Sequence, residues 1–204
     1  QATQTRYTFN CGNVDLSLTF TAPLLMDDLD LMSRPVNYLS YDITSNDDIA
    51  HDIEIYFEAS PRWALDQPYQ QSVSESFEND DLVFLKTGSI NQNVLLKMGD
   101  DVRIDWGYFY IATDKENTKA NIDSSKDLRD SFVSGNIGNN TKGENGHSTL
   151  ALVKQLGKKQ HAEGKIMIGY DDIYSIQYFE ENLRPYWNRN NKETILTQFK
   201  KADR

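Results

Sequence analysis

The sequence predicts a mainly β protein: an antiparallel β-sandwich with a short helix at its C-terminal end. Three observations predict it. Short runs in which apolar and polar residues alternate recur along the chain. Clusters of Gly, Asn, Asp and Ser punctuate them at short spacing. Helical periodicity is confined to two brief stretches, too few for the strand–helix alternation of a parallel sheet.

Taken in order, residues 6–10 and 14–21 alternate, with Leu16, Leu18 and Phe20 on one face, and Cys11-Gly12-Asn13 between them predicts a hairpin. Residues 36–44 alternate less cleanly, as a strand covered on both faces does. After a turn at 45–48, residues 52–60 place Ile53, Ile55, Phe57 and Ala59 on one side and charge on the other. Residues 61–81 are polar and weakly periodic, which predicts a long surface loop. Strands are expected at 82–86 and 94–98, around Gly88, and the strongest at 102–113. A short helix at 125–133 and a Gly/Asn-rich loop at 134–147 come next, then strands at 149–156 and 164–170. At the end, Ile195, Leu196 and Phe199 share a stripe at helical spacing within 191–202, with Asn190 or Asn191 placed to cap it. Pro185 interrupts any helix before that point. The reading sets a sandwich domain at 1–183 and a linker and helix at 184–204 leading to a further domain.

The chain of 204 residues is long enough for one large all-β domain. Its 38% apolar content is low, but eleven tyrosines and three tryptophans supply bulk for a core. The net charge is −10, and it is unevenly spread. Residues 1–113 hold 18 acidic against 6 basic residues, whereas 184–204 hold 2 against 6. An acidic body argues against nucleic acid or an anionic membrane as partner. The single cysteine, Cys11, excludes an intramolecular disulfide framework. No run of apolar residues is long enough for a membrane-spanning helix. The opening Gln1-Ala2-Thr3, without signal peptide or initiator methionine, reads as the start of a segment of a longer protein.

Chemistry-bearing residues are few. His51, His147 and His161 have no second histidine or cysteine at metal-ligand spacing, no serine sits in a nucleophile elbow, and no glycine loop cradles phosphate. What remains is carboxylates: Asp27, Asp28 and Asp30; Asp100, Asp101 and Asp105; Asp171 and Asp172. Clustered pairs of this kind can do acid–base work or hold calcium through oxygen ligands. They can also cap turns and pair with Arg34, Arg103 and Arg184. Asp100, Asp101, Asp105, Asp171 and Asp172 form the candidate acidic cluster. No catalytic residue, metal ligand or cofactor is assigned.

Trp63, Trp106 and Trp187 invite a carbohydrate-binding reading, because sugars stack on aromatic faces; core packing is the alternative, and is expected for Trp106. Trp187 lies beside Tyr186 in a basic run and reads as a boundary segment. Asn139-Asn140-Thr141 matches a glycosylation sequon. The C-terminal stretch offers more apolar surface than one sandwich needs at its end. Tyr186, Trp187, Ile195, Leu196 and Phe199 are therefore expected to dock against a downstream domain, or to pack back on the sandwich without it.

Three stretches carry a resemblance: TAPLLMDDLDLMSRPVNYL at 21–39, GDDVRIDWGY at 99–108 and YDDIYSIQYF at 170–179. In that order they resemble the glutaminase A family over nearly the whole chain. The resemblance implies a supersandwich-like domain ahead of a helical toroid of the six-hairpin glycosidase type, in a secreted, periplasmic or cell-surface protein. It implies hydrolysis of glutamine to glutamate and ammonia by the parent, with this piece an accessory domain whose partner is the downstream toroid. The alternative is a carbohydrate-binding or substrate-wall module taking a glycan or other small molecule. The loop at 134–147 departs from the family in its high Asn and Gly content.

Overall fold

The computed structural model describes residues 3–100 and 103–204. Its strands are β1 (Gln4–Cys11), β2 (Val14–Thr21), β3 (Val36–Ser45), β4 (His51–Ala59), β5 (Ser72–Asn79), β6 (Leu82–Ser89), β7 (Tyr108–Asp114), β8 (Thr118–Asp123), β9 (Lys142–Glu144), β10 (Thr149–Lys159), β11 (His161–Asp171), β12 (Ile176–Tyr178) and β13 (Glu181–Leu183). Three α-helices join them: α1 (Leu29–Ser33), α2 (Ser125–Val133) and α3 (Ile195–Asp203). Every pairing is antiparallel. An eight-stranded sheet runs β1-β2-β3-β11-β7-β6-β5-β9, a three-stranded sheet runs β4-β10-β8, and β12-β13 stands apart as a small hairpin.

The expected sandwich is present, and the first hairpin closes as expected. Cys11 pairs with Val14 across a two-residue turn that puts Gly12 at φ +74°, a conformation glycine adopts without steric cost. The turn after Ser45 carries the chain between layers, since β3 and β4 lie in different sheets. The long hairpin of β10 and β11 does the same, and a bulge between Gln155 and Gly157 bends β10 near that corner.

The principal core fills the space between the two sheets. Leu39, Leu85, Phe109, Ile111 and Ile166 of the large sheet meet Ala59, Ile122, Leu150 and Leu152 of the small one. A second core lies on the opposite face of the large sheet. There Val36, Phe84, Tyr110, Ala112 and Met167 are covered by Ile195, Phe199 and Ala202 of α3. The centre of the large sheet is thus buried on both faces, which is why β6 and β7 read as nearly continuous apolar runs. Helix α3, at nine residues, is too short to persist alone. Phe199 holds it down, edge-on to Phe84 at 5.3 Å between ring centroids, and the Tyr38 hydroxyl donates to the Ala202 carbonyl at 3.0 Å. A Cβ at Gly169 would lie 2.8 Å from the Phe199 ring and 2.6 Å from the Pro35 carbonyl oxygen, so this position in β11 admits little but glycine. Within the segment expected as a linker and helix, Trp187, Ile195, Phe199 and Ala202 are buried.

Several local expectations are corrected. The 61–81 stretch is not one loop: it holds a 3-10 turn at Pro61–Ala64 and strand β5. The inward positions of β5 are Ser72 and Ser74, buried hydroxyls that bond Ser148 and Thr87, so the strand lacks an apolar signature. Residues 94–98 form turns instead of a strand, because β5 and β7 already occupy both edges of β6 and Leu95 adopts φ +55°. Val102, the first residue of the strand expected at 102–113, lies outside the described residues; from 103 on the run is irregular, and the strand begins only at Tyr108, after Gly107 at φ +81°. The cap of α3 is Thr194, in a reciprocal capping box with Thr197, not Asn190 or Asn191. Helix α2 spans 125–133 as expected, with Ser124 as cap and Leu128 buried.

Phe199→Ala should cost about 3–5 kcal/mol, the range for an aromatic side chain removed from a packed core. Urea unfolding followed by circular dichroism measures it. A loss below about 1 kcal/mol would show that α3 is not needed to cover the sheet.

Candidate functional site

Of the residues singled out in the sequence, Trp106 is joined through its hydrogen bonds to the turn that carries Asp171 and Asp172. This indole is 4% exposed, and its N–H donates to the backbone carbonyls of Asp172 at 2.7 Å and Tyr174 at 3.1 Å. The Tyr170 hydroxyl donates back to the Trp106 carbonyl at 2.6 Å. Gln92 closes the same loop, its side-chain oxygen accepting from the Gly107 amide at 2.5 Å. Gly107 is required by proximity, since a Cβ there would lie 2.2 Å from the Asp171 carbonyl oxygen. The loop after β6 and the turn after β11 are thereby tied together.

The carboxylates divide by role. Asp105 is fully buried and shares an oxygen between the Lys97 ammonium at 2.8 Å and the Gln70 amide at 3.0 Å. Its other oxygen has no hydrogen-bond partner among the described residues. Asp66 meets the same ammonium at 2.7 Å, and the two carboxylates hold the Lys97 pKa above its ordinary value. Asp171 accepts from the Ile173 amide at 3.0 Å, and Asp172 accepts from the Ser175 hydroxyl at 2.5 Å, both as turn ties. Asp100 is exposed, and Asp101 lies outside the described residues. Asp28 caps α1 through the Leu31 amide, and Asp30 pairs with Arg189 at 2.7 Å. The cluster is therefore split between a buried ion pair and a turn. Among the described residues Arg184 forms no ion pair with it: the guanidinium donates to the Ile173 carbonyl and lies over the Tyr174 ring.

This turn launches the hairpin β12-β13, all six strand residues of which are exposed. Ile173 enters it at φ +60°, a left-handed conformation costly for a β-branched residue. Phe179 and Glu180 form its tip, both at positive φ, where Asn-Gly is the favoured pair. Ile176, Tyr178 and Phe179 are 55%, 61% and 83% exposed. Of the residues expected to dock, Tyr186 stays exposed beside this hairpin in sequence and Leu196 is half-buried. Trp187, Ile195 and Phe199 are buried within the chain itself, so replacing Phe199 with aspartate would break its own core.

Two other groupings are completed only by the fold and had no local signal. Asp42, His161 and Glu163 bring ligand atoms within 4.8 Å of one another, as do Asp123, Asp127 and His147, so either trio could hold a divalent ion at the surface. In the second trio His147 faces Asp123 at 2.7 Å, and the Ser124 amide and Asn140 already bond the Asp123 carboxylate. No helix among the described residues is long and apolar enough to cross a membrane.

Burial raises the Asp171 pKa, and the neighbouring Asp172 charge adds to it, against the Ile173 amide. An acid of this kind is protonated in both states below its ordinary value of 3.8, and stability falls as pH rises through the raised folded value. Asp171→Asn keeps an accepting oxygen and removes the charge. It should melt above the wild type at about pH 7 and level with it at about pH 3. Equal differences at both pH values would refute this origin.

The chain is 28% identical over 187 residues to Glutaminase A of Aspergillus oryzae (strain ATCC 42149 / RIB 40). That match takes in 87% of this chain and 27% of that protein, so the chain spans little more than a quarter of the length of the curated relative it matches. The same sandwich, with the Trp106 knot and the hairpin it supports, lies within the span that matches a family of domains. Residues 3–203 match the family described as Domain of unknown function (DUF5127), and the chain belongs to that family.

Proposed function

We propose that this chain acts as an accessory, non-catalytic β-sandwich domain of a larger, exported glutaminase A-like hydrolase. In this reading the hairpin at 176–183, with Tyr186, is the surface on which a downstream helical toroid domain docks. The parent hydrolyses glutamine to glutamate and ammonia, or a related amide, with its catalytic groups outside this domain.

The hairpin carries the reading. Six exposed strand residues with Ile176, Tyr178 and Leu183 among them, and a tip built from Phe179 and Glu180, have little to gain in water. Backbone strain at Ile173, Phe179 and Glu180 of order 1–3 kcal/mol each persists where a further contact favours the conformation. The relative's greater length supports a covalently attached partner. Among the described residues of the acidic cluster, Asp105 is paired with Lys97, and Asp171 and Asp172 are engaged in their turn, which leaves none of these three free as a nucleophile.

Two measurements test this. The purified chain should release no ammonia from glutamine, and turnover abolished by Asp172→Asn would overturn the non-catalytic assignment. Phe179→Asn with Glu180→Gly gives the tip its favoured residues and should stabilise the chain by about 1 kcal/mol. The same pair removes the exposed ring, and should weaken association with the separately expressed remainder of the parent by about tenfold or more. Unchanged affinity would show that docking occurs elsewhere.

A further inference from the structure

At one end of the sandwich, residues of both sheets line an open cleft of about 560 Å³. Its floor is apolar, made by Phe20, Phe57, Phe109 and Ile168. Over it stands Trp63, on the 3-10 turn between β4 and β5. The turn is anchored by the fully buried Ala64 and capped by Ser60, whose hydroxyl accepts from the Arg62 amide. One face of the Trp63 indole is stacked on Phe109, with centroids 5.8 Å apart and planes 19° from parallel. The residue is nevertheless 70% exposed, so its other face is presented to solvent on a rigid backing.

Polar groups stand opposite this platform. Thr5 pairs with Phe20 and Asn37 with Ile168, and residues paired across antiparallel strands share a face, so both point to the cleft. Among the described residues neither side chain has a hydrogen-bond partner within the chain. The one carboxylate in the lining, Glu58, is already engaged by Arg129, Ser125 and Tyr56. Burial acts to raise its pKa, but these partners win and hold it below its ordinary value, so the carboxylate stays ionised and paired. The wall therefore offers a flat aromatic surface, an apolar floor, a hydroxyl and an amide, with no uncommitted charge.

We propose that this cleft binds a neutral sugar ring, with Trp63 as the platform for its C–H face and Thr5 and Asn37 as partners for its hydroxyls. An alkyl chain would leave those polar groups unmatched, and a phosphate-bearing ligand would meet a chain of net charge −10. A pyranose has the required combination of one apolar face and a polar rim. The inference does not rest on the docking reading, because the cleft and the hairpin share no residue.

Tryptophan fluorescence tests it directly, since Trp106 and Trp187 are only 4% and 7% exposed and a ligand-dependent change reports on Trp63. The chain is titrated to millimolar concentration with cellohexaose, xylohexaose, mannohexaose and maltohexaose. A saturable shift is expected with at least one of them. Trp63→Ala should abolish binding by calorimetry, and Asn37→Ala should weaken it roughly fivefold to tenfold, as loss of one hydrogen bond does. Far-ultraviolet circular dichroism verifies that both variants keep the fold. No shift with any of the four sugars, or binding that survives Trp63→Ala, overturns the proposal. So does anilinonaphthalenesulfonate bound at Trp63 that none of the sugars displaces, since the cleft would then be a purely apolar surface.

Discussion

The rest of the structure depends on a sheet whose central residues are covered on both faces. Strands β6, β7 and β11 give one set of side chains to the small sheet and the other to helix α3. The two covers differ in kind. The sheet-on-sheet layer spans many residues and is held by its own ladders, whereas the helix is nine residues long and is held mainly by what it buries. Removing the helix would leave a stripe of Val36, Phe84, Tyr110 and Met167 open to solvent. The C-terminal residues therefore complete the fold.

Much of the sandwich was legible because several of its strands have one apolar face. In β2 and β4 the alternation of Leu16, Leu18 and Phe20, or of Ile53, Ile55 and Phe57, states both the strand and the side turned toward the other sheet. Helix α2 was legible to the residue because Ser124 caps it and no β-branched run competes. Legibility failed where the local pattern and the tertiary role diverge. Ser72 and Ser74 are buried yet polar, satisfied by Ser148 and Thr87, and no sequence period marks them. Residues 94–98 look like a strand, but both sides of the preceding strand β6 are already paired, by β5 and β7. The crossing of β3 to β4 between layers is equally silent, since a turn within a sheet and a turn between sheets use the same residues.

The candidate site was legible as a composition but not as an arrangement. The sequence brings Asp105, Trp106, Asp171 and Asp172 to notice, and the structure gathers them around one indole. Their tasks differ in a way that the sequence cannot rank: Asp105 sits in a buried ion pair, while Asp171 and Asp172 hold a turn whose next residue, Ile173, is strained. The Trp63 cleft and the two His–carboxylate trios have no sequence signature, because each joins at least one residue to others brought near it only by the fold. The three tryptophans illustrate the limit: Trp106 is buried as its apolar run suggests, but Trp187 is buried despite its basic surroundings, and Trp63 is presented to solvent.

The contact between Gly169 and Phe199 bears on how such domains diverge. The ring occupies the space that any side chain at position 169 would need, with the Pro35 carbonyl closing the other side. Neither residue can drift alone: a methyl at 169 pushes against the aromatic ring, and a smaller residue at 199 leaves the sheet bare. Substitution at one becomes tolerable only after shrinkage or rearrangement at the other, so the pair forms a two-step barrier along which lineages change in order. Positions 169 and 199 should accordingly co-vary among relatives that keep the helix, and fall free of each other only in those that cover the sheet some other way.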